Sequence, residues 1–160
     1  MITDRERHFM FLAVEESRAG MESGDGGPFG CIIVKGDEII GRGHNLVLRS
    51  NDPTAHAEVV AIRDACNYLG YFQLTGCEVF CSCEPCPMCF GALYWARPDI
   101  IYFANTKHDA ASIGFDDAFI YDQLEIANYG ERKIPLIKID IKEAAGVFEQ
   151  WKTSPYKELY

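Results

Sequence analysis

The chain has 160 residues and a formal net charge of -9 at pH 7, with 48% hydrophobic and 24% charged residues. This is an ordinary globular balance, long enough for one core, and it contains no apolar run of the ~18 or more residues that a membrane span needs. No Lys/Arg cluster supplies the basic footprint that displaces counterions from phosphates, so nucleic acid is not the expected partner and a small neutral ligand is easier to accept. The apolar run Phe9 to Val14 is short and follows Asp4, Arg5, Glu6 and Arg7, unlike a signal peptide, which leaves a cytoplasmic location as the expectation. The seven cysteines are an odd set, and Cys81, Cys83, Cys86 and Cys89 crowd together. Such spacing points to metal or catalysis rather than to a disulfide framework.

From the N-terminus, Thr3 to Ser23 reads as a helix, with Phe9, Leu12 and Ala13 near helical spacing. The stretch Gly24 to Gly30, which contains Gly26-Gly27-Pro28-Phe29-Gly30, breaks it. Cys31 to Lys35 and Glu38 to Arg42 read as a hairpin turning at Gly36-Asp37. Asp52 or Thr54 is expected to cap a helix from Ala55 to Leu69, stopped by Gly70. Cys77 to Ser82 reads as a strand and Cys86 to Trp95 as a helix, with Pro85 and Pro87 at its start. A strand over Asp99 to Ala104, a weaker helix over Asp117 to Ile126, a strand over Ile134 to Ile141 and a helix over Lys142 to Trp151 follow. Pro135 pushes the last strand toward an edge. One hairpin followed by alternating strands and helices implies an α/β fold, a mixed sheet between helices, with the last two strands parallel.

Two motifs carry the chemistry. His56-Ala57-Glu58 sits at one expected helix start and Pro85-Cys86-Pro87-Met88-Cys89 at another. Cysteines three apart on a helix lie ~60° apart around its axis, so both sulfurs can reach one ion. His56, Cys86 and Cys89 make three ligands of a tetrahedral Zn²⁺ site with the fourth position open to water, the catalytic pattern. Glu58 and His56 would diverge on a regular helix, so they converge only if the helix end itself faces the site. Glu58 then acts as general base and proton shuttle for a water acidified by zinc. The plainer alternative is a structural zinc knot, for which a fourth ligand is missing nearby. Phe29 is open to a plain core role, Asn45 to a turn, and Asp116-Asp117 to a helix cap. His8, His44 and His108 read as surface or loop residues.

H-x-E with P-C-x-x-C resembles the signature of the zinc nucleobase deaminases. Gly27 to Gly30, Asn51 to Glu58, Ser82 to Gly91 with Tyr94-Trp95-Ala96-Arg97, and Gly114 to Asp117 look like the bacterial guanine deaminases of the cytidine/deoxycytidylate deaminase superfamily, over nearly the whole chain. The resemblance implies a cytidine-deaminase-like three-layer αβα sandwich with a five-stranded mixed sheet. It implies hydrolysis of guanine to xanthine and ammonia with one zinc per chain. It further implies Glu58 and Asp117 as catalytic acids and bases, Phe29, Asn45 and Ala57 against the base, and a homodimer. In that dimer the C-terminal segment, residues 152–160, is exchanged so that Tyr160 covers the partner's site. Guanosine, cytosine or cytidine deaminases share the zinc chemistry, as do tRNA adenosine deaminases, against which the acidity and the aromatic tail argue. A non-catalytic zinc module is the rival of another class.

Overall fold

The computed structural model describes residues 2–159. It falls into two compact units, one ending at Asp117 and the other beginning at Ala118. In the first unit, helix α1 (Asp4–Glu22) starts in a capping box in which Thr3 accepts from the Glu6 N–H and the Glu6 carboxylate accepts from the Thr3 N–H. Strands β1 (Gly30–Lys35) and β2 (Glu38–His44) form the expected antiparallel hairpin, with a bulge between Ile33 and Val34. Gly36 turns the hairpin with φ 61°, a conformation that glycine adopts without strain. A four-residue helix α2 (Val47–Ser50), which periodicity is too short to reveal, leads to α3 (Ala57–Leu69). Then come β3 (Cys77–Cys83), α4 (Pro87–Ala96), β4 (Ile100–Asn105) and α5 (Lys107–Ser112).

The sheet order is β2-β1-β3-β4, with β1 antiparallel to both neighbours and β3 parallel to β4 across the α4 connection. Alternation along the strands builds two cores. Ile32, Val34 and Phe80 face Phe9 and Ala13 of α1. Cys31, Ile33, Val79 and Cys81 face Ala57, Ala61, Ala65 and Leu93 of α3 and α4. Helices on both faces explain why β1 is an unbroken apolar run rather than an alternating one. The three-layer α/β/α reading holds.

The five-stranded sheet does not. The second unit carries α6 (Ala118–Glu125), a 3-10 turn at Tyr129–Glu131 and α7 (Lys142–Thr153). Ile134 to Ile141 enters no strand ladder among the described residues. The sheet is four-stranded, and its parallel pair is β3/β4 rather than a pair that includes 134–141. An alternating apolar pattern sets which faces a strand would show, but a ladder needs a neighbouring edge, and Pro135 removes one donor. Among the described residues no helix is long and apolar enough to cross a membrane.

Candidate metal centre

Both ligand-bearing helices begin later than the sequence suggested, α3 by two residues and α4 by one, and this places the ligands. His56 is the N-cap of α3 in extended backbone, φ -71° and ψ 156°. Cys86 is the N-cap of α4, φ -65° and ψ 168°, with Pro87 at the first helical position. Neither Asp52 nor Thr54 caps α3. Asp52 instead accepts from the Thr54 N–H and hydroxyl, at 2.8 and 2.7 Å, in the loop before it. With His56 off the helical path and Glu58 in the first turn, the ~200° separation expected for i and i+2 on a helix does not apply. Two helix N-termini therefore aim at one point, where their dipoles favour anionic sulfur.

His56 Nδ1 lies 3.5 Å from Cys86 Sγ and 3.5 Å from Cys89 Sγ. Among the described residues these three are the group whose ligand atoms gather, all within 4.8 Å of one another. Zn–S bonds of ~2.3 Å and Zn–N bonds of ~2.1 Å at tetrahedral angles set nitrogen and sulfur ~3.6 Å apart. The side chains thus fit a zinc ion as they stand. Without a cation, Cys86 is held down at about 4, first because Cys89 donates to its sulfur and then because His56 does, against the effect of burial. Cys89 is pushed up, since it keeps the proton that Cys86 shares and is itself buried. The Cys86 contact also raises His56. A divalent cation resolves this shared-proton arrangement by drawing both thiols to thiolates against a neutral imidazole.

Glu58 is 7% exposed, and its carboxyl is raised mainly by that burial, with the Cys86 charge adding to it. Asp117 is half-buried at the end of the first unit and is raised by burial and by Cys86. Ala57 is buried at the first position of α3. Phe29 meets Phe115 edge-on, with ring centroids 5.0 Å apart. Gly27 makes room for the pair, since a Cβ there would lie 2.7 Å from Phe115 and 2.9 Å from Phe29. Asn45 is buried, donates its N–H to the Phe29 carbonyl at 3.0 Å, and accepts the Val47 N–H on Oδ1 at 3.1 Å. Tyr160 lies outside the described residues.

Cys81 and Cys83 stay out of the ligand group: Cys81 Sγ lies 4.0 Å from Cys31 Sγ and Cys83 faces the Thr106 carbonyl at 3.6 Å. Three residues near the site escaped the sequence. Ser82 Oγ accepts the Gly30 N–H at 2.9 Å and so ties β3 to the start of β1. Phe115 supplies the ring against Phe29. His44, expected at the surface, is half-buried between two carboxylates. Only Phe115 had a local signal, its place beside Gly114 and Asp116-Asp117.

Residues 3–105 match the cytidine and deoxycytidylate deaminase zinc-binding region. The guanine deaminase of Bacillus subtilis is 48% identical over 152 residues, 95% of this chain and 97% of that protein. The X-ray structure of a B. subtilis guanine deaminase superposes with a TM-score of 0.94 at 46% identity, covering 99% of each chain. A tRNA-specific adenosine deaminase of Aquifex aeolicus is 42% identical over 105 residues, 64% of this chain and 69% of that one.

Proposed function

Starting from a chain that belongs to the cytidine and deoxycytidylate deaminase family, with a His/Cys/Cys zinc site, we propose that it hydrolyses guanine to xanthine and ammonia. The observation that carries the choice of base is the extent of the likeness. Similarity to a guanine deaminase runs through 95% of the chain, whereas a tRNA deaminase relative matches 64% of it. The zinc chemistry alone would suit either.

Bound by His56, Cys86 and Cys89, zinc supplies a Lewis acid that makes a water acidic enough to deprotonate near neutral pH. Glu58 takes that proton. Its burial and raised pKa suit a group that must accept a proton and give it back within one cycle. The water oxygen bonds to C2 of guanine, Glu58 hands the proton to a ring nitrogen, and the C2–N bond then breaks to release ammonia. Asp117 accepts a hydrogen bond from the 2-amino group, takes the remaining proton from the new C2 hydroxyl and passes it to the amino nitrogen as the C2–N bond breaks. Asn45 has its Oδ1 committed to Val47, which leaves its Nδ2 as the group that would donate to the base. Phe29 stacks on the ring, and the Ala57 backbone lines the carbonyl side. A pocket of such polar partners rejects bases that lack them.

The working unit in this reading is a homodimer with exchanged C-terminal segments. No described residue from Ala118 onward is buried, and Ile134, Ile137, Ile139, Phe148 and Leu159 are 73–80% exposed. So much bare apolar surface calls for a partner, and exchange of an identical element is a low-cost route to a two-fold dimer. The exchanged tail then closes the partner's site. Free cysteines throughout the described chain suit a reducing, cytoplasmic setting.

Ammonia release is to be measured on guanine, guanosine, adenine, cytosine and cytidine. Guanine is expected well above the rest; equal or faster release from guanosine overturns the substrate assignment. For the dimer, a chain truncated after Ser154 is to be mixed with a Glu58→Gln chain. Activity should return, because the intact site receives the full-length partner's tail. No recovery in proven heterodimers would mean that each tail serves its own site.

A further inference from the structure

We propose that His44, as an imidazolium clamped between Glu16 and Asp25, is the positioning residue that sets Asn45 against the base, so that substrate binding weakens when the ring loses its proton. This rests on the reading of Asn45 as a base contact. The ring's partners are Glu16 and Asp25 and none of the three zinc ligands, and it acts through the residue that follows it.

The geometry demands a charged ring. His44 Nδ1 lies 3.0 Å from Glu16 Oε1 and Nε2 lies 2.8 Å from Asp25 Oδ2. An ionised carboxylate only accepts, and a neutral imidazole has one N–H, so a neutral ring leaves a nitrogen lone pair facing a carboxylate. Both contacts are complete only when both nitrogens carry protons. Burial works against the charge, but hydrogen bonds to Glu16 and then Asp25 overcome it and raise the ring above the ordinary histidine value. The other charges facing this cluster are Arg42 on β2, 3.9 Å from Glu16, and Arg49 on α2, 3.2 Å from Asp25.

The clamp joins every element that orients Asn45. The His44 ring is seated on bare backbone of α1, because a Cβ on Gly20 would fall 2.5 Å from it. Asp25, buried in the glycine-rich loop, carries α2. Its side chain accepts from Arg49 at 3.2 Å, and its carbonyl accepts the Leu48 and Arg49 N–H groups at 3.1 and 3.0 Å. Asn45 lies between these anchors. Its Oδ1 holds the first N–H of α2, and Gly26 sits so close that a Cβ there would be 2.1 Å from Oδ1. An amide held this tightly cannot turn unless α2 or the loop shifts, and His44 pins both to α1. Deprotonation sets a lone pair against one carboxylate, releases that side of the clamp, and lets the Asn45 amide lose its aim. None of the hydrogen bonds of this network goes to a ligand or to Glu58, which lie at the starts of α3 and α4, so the effect falls on KM more than on kcat.

The sign follows from the raised pKa. Binding is strongest with the ring charged and weakens as pH rises through the ring's folded-state value. Loss of one net hydrogen bond to the base corresponds to about a tenfold rise in KM. The test measures kcat and KM for guanine from pH 6 to 8.5 in the zinc-loaded wild type, His44→Gln, Glu16→Gln and Asn45→Ala, with an NMR titration of the His44 ring. Wild-type KM is expected to climb along the ring's titration curve, with kcat changing far less. His44→Gln should show a raised and flat KM. Glu16→Gln, which removes one of the two negative partners, should move both the ring titration and the KM rise to lower pH, a shift that a purely structural role would not produce. Asn45→Ala should raise KM about tenfold and remove its pH dependence. A wild-type KM profile in His44→Gln, or a KM rise that stays put in Glu16→Gln while the ring titration moves, overturns the positioning role alone. An unchanged KM in Asn45→Ala overturns the base contact, and the positioning role with it.

Discussion

Gly43 gives the most direct access to the way the sheet sets the metal centre. It lies on β2 with its missing side chain aimed at the start of α3. A Cβ there would fall 2.4 Å from the Ala57 carbonyl oxygen, 2.6 Å from the Ala61 nitrogen and 3.0 Å from Val60 Cβ. The first two are backbone atoms of a helix and cannot swing aside, so Gly43→Ala must push the helix bodily. Restoring ordinary contact, which begins at 3.4 Å, moves it by about 1 Å. The displaced turn carries His56 and Glu58. Overpacking of this kind costs ~1–3 kcal/mol of stability, and a misplacement of ~1 Å near reacting groups costs ~10²-fold in rate. We expect Gly43→Ala to lose about that much kcat/KM in ammonia release while its urea midpoint falls. Zinc should remain bound, because His56 sits outside the helix proper and can follow the ion. Activity within threefold of wild type, with an unchanged midpoint, would show that β2 does not hold the start of α3 in register.

The remaining perturbations separate metal, base and packing. Cys86→Ala is expected to lose zinc by elemental analysis, since two ligands do not hold the ion; full occupancy would move the site elsewhere. Glu58→Gln should keep zinc and fold but lose ~10²–10⁴-fold in turnover, the contribution of one placed proton-transfer group; turnover within a few-fold of wild type would assign the base to another residue. Gly91→Ala, in α4 with nothing within 4 Å of the added Cβ, should stabilise by ~0.5–1 kcal/mol in urea titration, because alanine is the better helix former. Leu93→Ala, at a fully buried site on the same helix, should destabilise by ~2–5 kcal/mol, and a loss below ~1 kcal/mol would mean that the α4 face of the core collapses onto the gap.

The contrast between Cys86 and His44 shows where sequence stops informing. Cys86 and Cys89 belong to one helical turn, and His56 and Glu58 to another, so spacing along the chain nearly dictates spacing in space. What the pattern misjudged was the helix starts, by two residues at α3 and one at α4: both first ligands are N-caps in extended backbone, and that offset turns His56 toward the same point as Glu58. Periodicity marks which face of a helix is apolar and says little about where its first hydrogen bond closes. The segment from Ile134 to Ile141 fails for a different reason. Its alternation is a property of the chain, but a strand is a property of a pair, and no ladder forms on it among the described residues. His44 lies further still from local rules. Its partners Glu16 and Asp25 are 28 and 19 residues away, and an isolated histidine at a strand end carries no sign of either. Only the fold brings the three together, through the bare backbone of Gly20 on which the ring rests. Ligands drawn from short motifs are therefore legible in advance, while the residues that aim a substrate contact, gathered from α1, the glycine-rich loop and the end of β2, emerge only when the sheet is assembled.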